Sequence, residues 1–285
     1  MTAKEFLYEK IHAEILFYNY SIDSDIKETL GKIINRWSDD SLFSEKQRFE
    51  NLEQHFPNLK EKRILDMAAG CGSFVLQGLI KGYNTYGVEP EDWKQELIDI
   101  KFLENKYSNG WRNRLLKGYG EKLPYEDSFF DVFDSWQTFE HVQNVQFCLN
   151  ELYRVTKKKG GGIIHCPSYA TFFEAHYRIF WFPMMGDSAF SRAYLKFKNR
   201  PTEGLKTFAP INKKKLITAA KIAGFEVINI KKQNIYTVAK RKIPFLQKGI
   251  FKWLLPIIYL AWSTKIGITK FGVQERNIHL KLTKN

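Results

Sequence analysis

The residues best placed to do chemistry lie in two short apolar runs. The first, ILDMAAGCGSF from Ile64 to Phe74, carries Asp66 near the end of its apolar part and then a run of small residues. The second, Asn84 to Val88, leads directly to Glu89 and Pro90. Gly70 and Gly72 lack a Cβ, so backbone there can lie against a ligand and adopt dihedrals that other residues resist. The Glu89 carboxylate can accept hydrogen bonds from two ribose hydroxyls, and Asp66 can orient an ammonium or a hydrogen-bond network beneath the same ligand. A dinucleotide fingerprint wants a third glycine for close helix packing, and Val75 stands there. The GxxxxGK[ST] loop of a phosphate-binding site is absent from the sequence.

Imidazoles titrate near neutral pH and serve as general bases. His141 and His176 are the candidates, the alternatives being a helix-start residue for His141 and a surface loop residue for His176. Tyr177 and Arg178 adjoin His176, and a guanidinium there could bind a phosphate or carboxylate of the substrate. His165 lies inside an apolar run and is expected to pack in the core.

The elements that must position these groups follow from periodicity. Arg63 to Met67 reads as a strand, AAGCGS as a tight turn, and the apolar pattern after it as a helix. Gly118 to Trp136 reads as a loop broken at Pro124, then a strand from Phe129 that ends near Asp134. The stretch from Gln143 to Ser168 has helical apolar spacing, a basic last turn at Lys157 to Lys159, a triple-glycine stop and another strand. Asn212 is placed to cap a helix over Lys213 to Ala223 that Gly224 ends, with FEVINI following as a strand. Alternating apolar residues at Ile278, Leu280 and Leu282 predict a last, antiparallel strand. Strands alternating with helices imply an α/β, doubly wound, mainly parallel sheet.

Taken in order, these segments resemble the class I S-adenosylmethionine (SAM)-dependent methyltransferases of ubiquinone and menaquinone biosynthesis, over roughly Lys62 to Tyr169. The family's first motif runs acidic, x, Gly, x, Gly, x, Gly; Asp66, Ala68, Gly70 and Gly72 match it, with alanine at the first glycine. Glu89 falls on the ribose-binding acid. GYGEKLPY resembles the segment beside the adenine, with Tyr119 where an aspartate often reads the base, so backbone groups of Gly120 and Glu121 take that role. DSWQTFEHV resembles the segment covering the methionine end, through Trp136, Gln137 and Thr138. The resemblance implies a seven-stranded Rossmann-like sheet with an antiparallel last strand, SAM as cofactor, and methyl transfer, in which positioning supplies most of the catalysis. A hydroxyl acceptor would add the need for a base.

Residues 1–60 have helical apolar spacing, at Phe6, Ile11, Ile15, Ile33, Ile34 and Trp37, and are expected to cap the cofactor cleft; residues 61–285 then form the methyltransferase domain. Within it, 171–210 interrupts the alternation as a lid, and 243–270 is an apolar, basic insertion. Charge is unevenly spread: Met1 to Ile230 carries 32 Lys and Arg against 30 Asp and Glu, whereas Lys231 to Asn285 carries 12 against 1. FKWLLPIIYLAW, interrupted by Lys252 and Pro256, is short of the ~20 residues a membrane span needs, but lysines beside tryptophan and tyrosine suit an anionic membrane surface. A buried helix is the alternative. Cys71, Cys148 and Cys166 show no metal spacing, their odd count suits a reducing compartment, and the N-terminus lacks a secretory apolar run; a cytoplasmic protein, peripheral at the membrane, is expected. The leading expectation is O- or C-methylation of a small-molecule, lipid-linked or glycan acceptor. A nucleic-acid methyltransferase suits the basic tail, but DSWQ lacks the (D/N)PP(Y/F) pattern of enzymes acting on exocyclic base amines. A SAM-binding module without catalysis is the third reading.

Overall fold

In a computed structural model of the chain, the described residues are 1–17, 24–170, 173–174, 176–177, 179–207, 209–230 and 277–285. Three helices precede the sheet: α1 (Ala3–Phe17), α2 (Ser24–Ser38) and α3 (Lys46–Glu53). Then come β1 (Arg63–Met67), α4 (Ser73–Ile80), β2 (Asn84–Glu89), α5 (Asp92–Asn105), α6 (Asn109–Arg112), β3 (Leu115–Lys117), β4 (Phe130–Trp136), α7 (Val145–Val155) and β5 (Thr156–Pro167). A small hairpin follows, β6 (Phe173–Glu174) and β7 (Ile179–Phe180), then α8 (Ala189–Phe197), α9 (Lys213–Ile222), β8 (Glu226–Asn229) and β9 (Asn277–Thr283).

Seven strands form one sheet in the order β3-β2-β1-β4-β5-β9-β8. Pairing is parallel from β3 to β5, and β9 runs antiparallel to both β5 and β8. The order reverses between β1 and β4, and open α/β sheets bind ligands in the crevice beyond the strand ends at such a point. The strands read as unbroken apolar runs because both faces are covered. On one face Ile64, Val132 and Ile163 pack with Phe49, Leu52 and Phe74 of α3 and α4. On the other, Leu65, Phe133, Ile164, Leu280 and Leu282 pack with Cys148, Leu149 and Leu152 of α7 and with Leu216 and Ala220 of α9.

Local signals set the helix starts. The Asn144 side chain accepts from Phe147 N at the head of α7, and Asn212 accepts from Lys215 N at the head of α9. Gly224 follows α9 with φ 105°. One expectation is corrected: α7 stops at Val155, and Lys157 to Lys159 belong to β5 rather than to a helical turn. Lys157 pairs with Asp131 at 2.8 Å. The triple glycine lies inside the strand, since a Cβ at Gly161 would fall on the Leu282 carbonyl and one at Gly162 on Phe133. Close strand approach, not helix termination, selects glycine there.

Helices α1 and α2 bury Phe6, Leu7, Ile11, Leu30 and Ile34 against Cys71 of the glycine turn and Leu97 of α5. Beneath them Lys101, fully buried, donates to Asp40 at 2.7 Å and to the Cys71 carbonyl at 3.1 Å. Burial pushes the Asp40 carboxyl up to about 6 against the pull of that lysine. No helix among the described residues is long and apolar enough to cross a membrane. The segment 243–270, expected to be an apolar, basic insertion, lies outside the described residues.

Candidate active site

After β1 the chain bends through Ala68 (φ 65°), Gly70 (φ 56°) and Gly72 (φ 76°), all left-handed. Ala68 accepts a conformation that costs a residue with a Cβ about 1 kcal/mol. A Cβ on Gly72 would crowd Ile98 at 3.1 Å, whereas one on Gly70 would meet nothing within 4 Å. Open space therefore lies over Gly70.

Glu89 closes the other side of that space. It is 1% exposed, accepts from Gly70 N at 2.8 Å and from Glu91 N at 3.2 Å, and lies 3.5 Å from Lys94 Nζ. Burial raises its pKa, with Lys94 and the two backbone donors partly offsetting this. A single carboxylate thus ties the tip of β2 to the bend after β1, and Pro90 ends the strand behind it.

Below the bend sits a residue that sequence reasoning missed. Arg48 of α3 donates from Nη2 to Asp66 Oδ1 at 2.5 Å and from Nε to Asp134 Oδ2 at 2.6 Å. Its guanidinium lies over the Phe74 ring, 4.1 Å from the centroid. Asp66 and Asp134 are register partners on adjacent strands, so without a cation between them two buried like charges would face each other. Burial pushes Asp66 up to about 7 despite Arg48, and Asp134 also lies above the ordinary carboxylate range because of burial. Asp66 Oδ2 is buried with no hydrogen-bond partner.

The turn after β4 is pinned to β1. Thr138 Oγ1 donates to the Met67 carbonyl at 3.2 Å, and Gln137, at φ 53°, donates its N–H to the His165 carbonyl at 2.7 Å. Trp136 stacks on His165 with centroids 3.8 Å apart, which accounts for the buried place of that histidine. Gly120 packs close to Met67 and Cys148, where a Cβ would lie 3.2 Å from either sulfur. The Glu121 carboxylate accepts from Gln143 N and Asn144 N at 2.9 and 3.2 Å, fixing the approach to α7. Tyr119 is exposed.

The two candidate bases, 35 positions apart in the chain, come together. The His141 and His176 rings meet edge to face with centroids 5.3 Å apart. His141 Nδ1 lies 2.7 Å from the Thr207 carbonyl, and since a carbonyl only accepts, Nδ1 carries the proton and Nε2 the lone pair. Burial lowers the pKa of His141, with His176 adding to the effect. His176 Nδ1 lies 2.8 Å from Glu174 Oε1. Neither Glu174 nor Glu140 was anticipated, although each stands within two positions of its histidine. Tyr177 is fully buried, its ring stacked toward that of Trp181 with centroids 6.4 Å apart. Arg178 lies outside the described residues. Burial holds the Cys71 thiol up at about 12 and that of Cys166 well above its ordinary value, so neither is a ready nucleophile.

Glu140 is 2% exposed, with Oε2 unpartnered and Oε1 4.0 Å from His141 Nε2. Burial pushes its carboxyl up to about 7. The folded state therefore holds a proton that the unfolded chain has released, and stability falls as pH rises from the unfolded value near 4.5 through 7. Glu140→Gln should raise stability by about 2 kcal/mol at pH 8 and hardly at all at pH 4.5. Urea denaturation at the two pH values checks this; an equal effect at both would contradict it.

Residues 65–164 match the family model described as a methyltransferase domain. The chain is 32% identical over 116 residues to a ubiquinone biosynthesis O-methyltransferase of Rickettsia bellii, covering 40% of this chain and 46% of that one. It is 33% identical over 115 residues to a demethylmenaquinone methyltransferase of Streptomyces avermitilis, covering 39% and 46%. An uncharacterized methyltransferase of Schizosaccharomyces pombe is 34% identical over 122 residues, 38% and 40% of the two chains. The chain thus spans less than half the length of these relatives. Among solved structures, the YcgJ protein of Bacillus subtilis superposes with a TM-score of 0.50 at 16% identity, over 84% of this chain and 99% of that one. The fold is that of the class I SAM-dependent methyltransferases, with the seven-stranded, mainly parallel sheet and antiparallel C-terminal strands.

Proposed function

We propose that this chain is a SAM-dependent methyltransferase acting on a hydroxyl or carbon of a small-molecule or lipid-linked acceptor. The observation that carries the reading is the cradle between Gly70 and Glu89, open over the glycine and closed by a buried carboxylate. Glu89 would accept from the ribose hydroxyls. The unpartnered Asp66 Oδ2 suits an ammonium, and Arg48, two positions from its own helix's start, suits the carboxylate of the same amino-acid end. Gly120 and Glu121 would face the base, and Trp136, Gln137 and Thr138 would cover the methionine end. SAM, when bound, supplies an electrophilic methyl group. The chain's own contribution is to orient the acceptor, exclude water and remove a proton, tasks for the turn after β4, the β6–β7 hairpin and the histidine pair. The quinone-related names of two relatives favour an aromatic hydroxyl or ring carbon as the methylated position.

Lipid linkage has a separate support. Phe180, Phe182 and Phe190 form an exposed ring cluster, with centroids 5.4 and 5.8 Å apart. Phe197, 78% exposed, follows on α8 beside Lys196 and Lys198. Exposed aromatic rings with lysines beside Phe197 on the same lid helix suit an anionic bilayer interface. The test uses methyl-labelled SAM with the purified protein and either an aqueous or a lipid extract. Label should enter the lipid fraction, and F182S/F190S should reduce that at least fivefold while leaving S-adenosylhomocysteine binding intact. Label entering only water-soluble products would overturn the lipid part; no transfer to either extract would count against catalysis.

A further inference from the structure

We propose that Glu174 is a positioning residue: the buried carboxylate that orients His176 and stabilises its imidazolium when the acceptor's hydroxyl proton is removed. This rests on the hydroxyl-methylating branch of the function above. In that step the acceptor oxygen forms its bond to the methyl carbon. The carbon–sulfur bond of the sulfonium breaks with its electron pair left on sulfur, and the hydroxyl proton passes to His176 Nε2.

Glu174 on β6 has no exposed side-chain surface. A buried carboxylate is costly unless donors surround it, and here both oxygens are engaged. Oε2 accepts from Tyr177 N at 2.6 Å, which fixes the carboxylate inside the turn of the hairpin. Oε1 faces His176 Nδ1 at 2.8 Å, with the Tyr169 hydroxyl donating to it from 3.4 Å. The hairpin's own backbone needs only the first oxygen. The second is aimed at an imidazole whose ring meets the other candidate base.

A carboxylate in that position accepts, so Nδ1 of neutral His176 carries the proton and Nε2 is the basic nitrogen. His141 has the same tautomer, but its partner is the neutral Thr207 carbonyl. The two imidazoles are therefore supported unequally: one is backed by a charge that favours the imidazolium, the other by a dipole and by burial that disfavours it. Pairs pushed apart in this way divide acid and base roles. Among the described residues, the titratable and charged groups facing the pair include Glu174 and Tyr169 on the hairpin side, Glu140 beside His141, and, farther off, Lys94 and Glu91.

Nitrogen-15 spectra of the full chain labelled at histidine test this without any acceptor. Neutral His176 should carry its proton on Nδ1; a proton on Nε2 would overturn the proposal, and this reading needs no variant. In E174Q the His176 titration midpoint should move down by about one pH unit, while E174D keeps it within a few tenths. An unmoved midpoint in E174Q would reduce Glu174 to a structural cap of Tyr177. S-adenosylhomocysteine affinity, measured on the same samples, should be unchanged by E174Q. Failure of the unsubstituted protein to bind that ligand would refute the cofactor reading and leave the tautomer result standing.

Discussion

Glu89→Ala should weaken S-adenosylhomocysteine binding at least tenfold. Ribose hydroxyls would lose a charged acceptor, and hydrogen bonds to charged groups contribute about 1.5–3 kcal/mol each. The loss has a second source, because Glu89 also accepts from Gly70 N at 2.8 Å and so holds the bend in the shape that leaves its upper side open. Glu89→Gln separates the two: its amide oxygen can still take the Gly70 N–H, but without charge, so affinity should fall by an intermediate factor. Calorimetric titration of the three proteins provides the comparison. Equal affinities would place the nucleoside elsewhere.

The largest effect on stability is expected from Arg48→Met. Asp66 and Asp134 lie buried on neighbouring strands, and their shared cation is held at 2.5 and 2.6 Å. Removing it strands two carboxylates in a medium that cannot solvate them, a loss of about 3–5 kcal/mol for a broken buried pair. Domains are stable by only about 5–15 kcal/mol in total, so the variant should unfold at a markedly lower urea concentration at pH 8. The deficit should shrink toward pH 5. Asp66 already sits at about 7 with the arginine present, and without it both carboxyls will take protons more readily and shed the repulsion. Arg48→Lys should restore only part of the loss, since the three donors of an ammonium share one nitrogen and cannot reproduce the separate Nε and Nη2 positions that reach the two carboxylates. A deficit under 1 kcal/mol at pH 8, or one that grows in acid, would contradict this account.

These two residues also mark how far the sequence could be read. The position of Glu89 was legible because what sets it is local in pattern: an apolar strand, an acid at its tip, and a glycine bend one element earlier. The same holds for β1, whose predicted and observed bounds coincide at Arg63 and Met67, and for the Asn212 cap. Arg48 was not legible, because Asp66 and Asp134 lie 18 and 86 positions away and nothing in the amphipathic pattern of α3, where it also reaches Glu45, distinguishes it from a solvated basic residue. The histidine pair falls between these cases. Each imidazole could be nominated from its chemistry, yet only the packing of the hairpin against the turn after β4 brings the rings within 5.3 Å. Lys157 to Lys159 show the opposite failure. A basic run after an apolar helix and before three glycines looks like a helix terminus, but tight packing among β4, β5 and β9 makes the glycines strand residues.

Burial at the bend and at Glu89 links fold to function. The strand order reverses between β1 and β4, the bend after β1 leaves open space over Gly70, and helices α1 and α2 pack on Cys71 of that bend and on Leu97. Lys101 joins Asp40, just after α2, to the Cys71 carbonyl. Affinity for the nucleoside and docking of the N-terminal helices are therefore expected to be coupled.

A crystal structure with S-adenosylhomocysteine bound tests the central claim most directly. The account predicts both ribose hydroxyls on the Glu89 carboxylate, the amino-acid end over Gly70 within reach of Asp66 and Arg48, and the sulfur facing the His141–His176 pair. A ligand bound away from β1 and β2, or a crevice that admits a different nucleotide in its place, would contradict it.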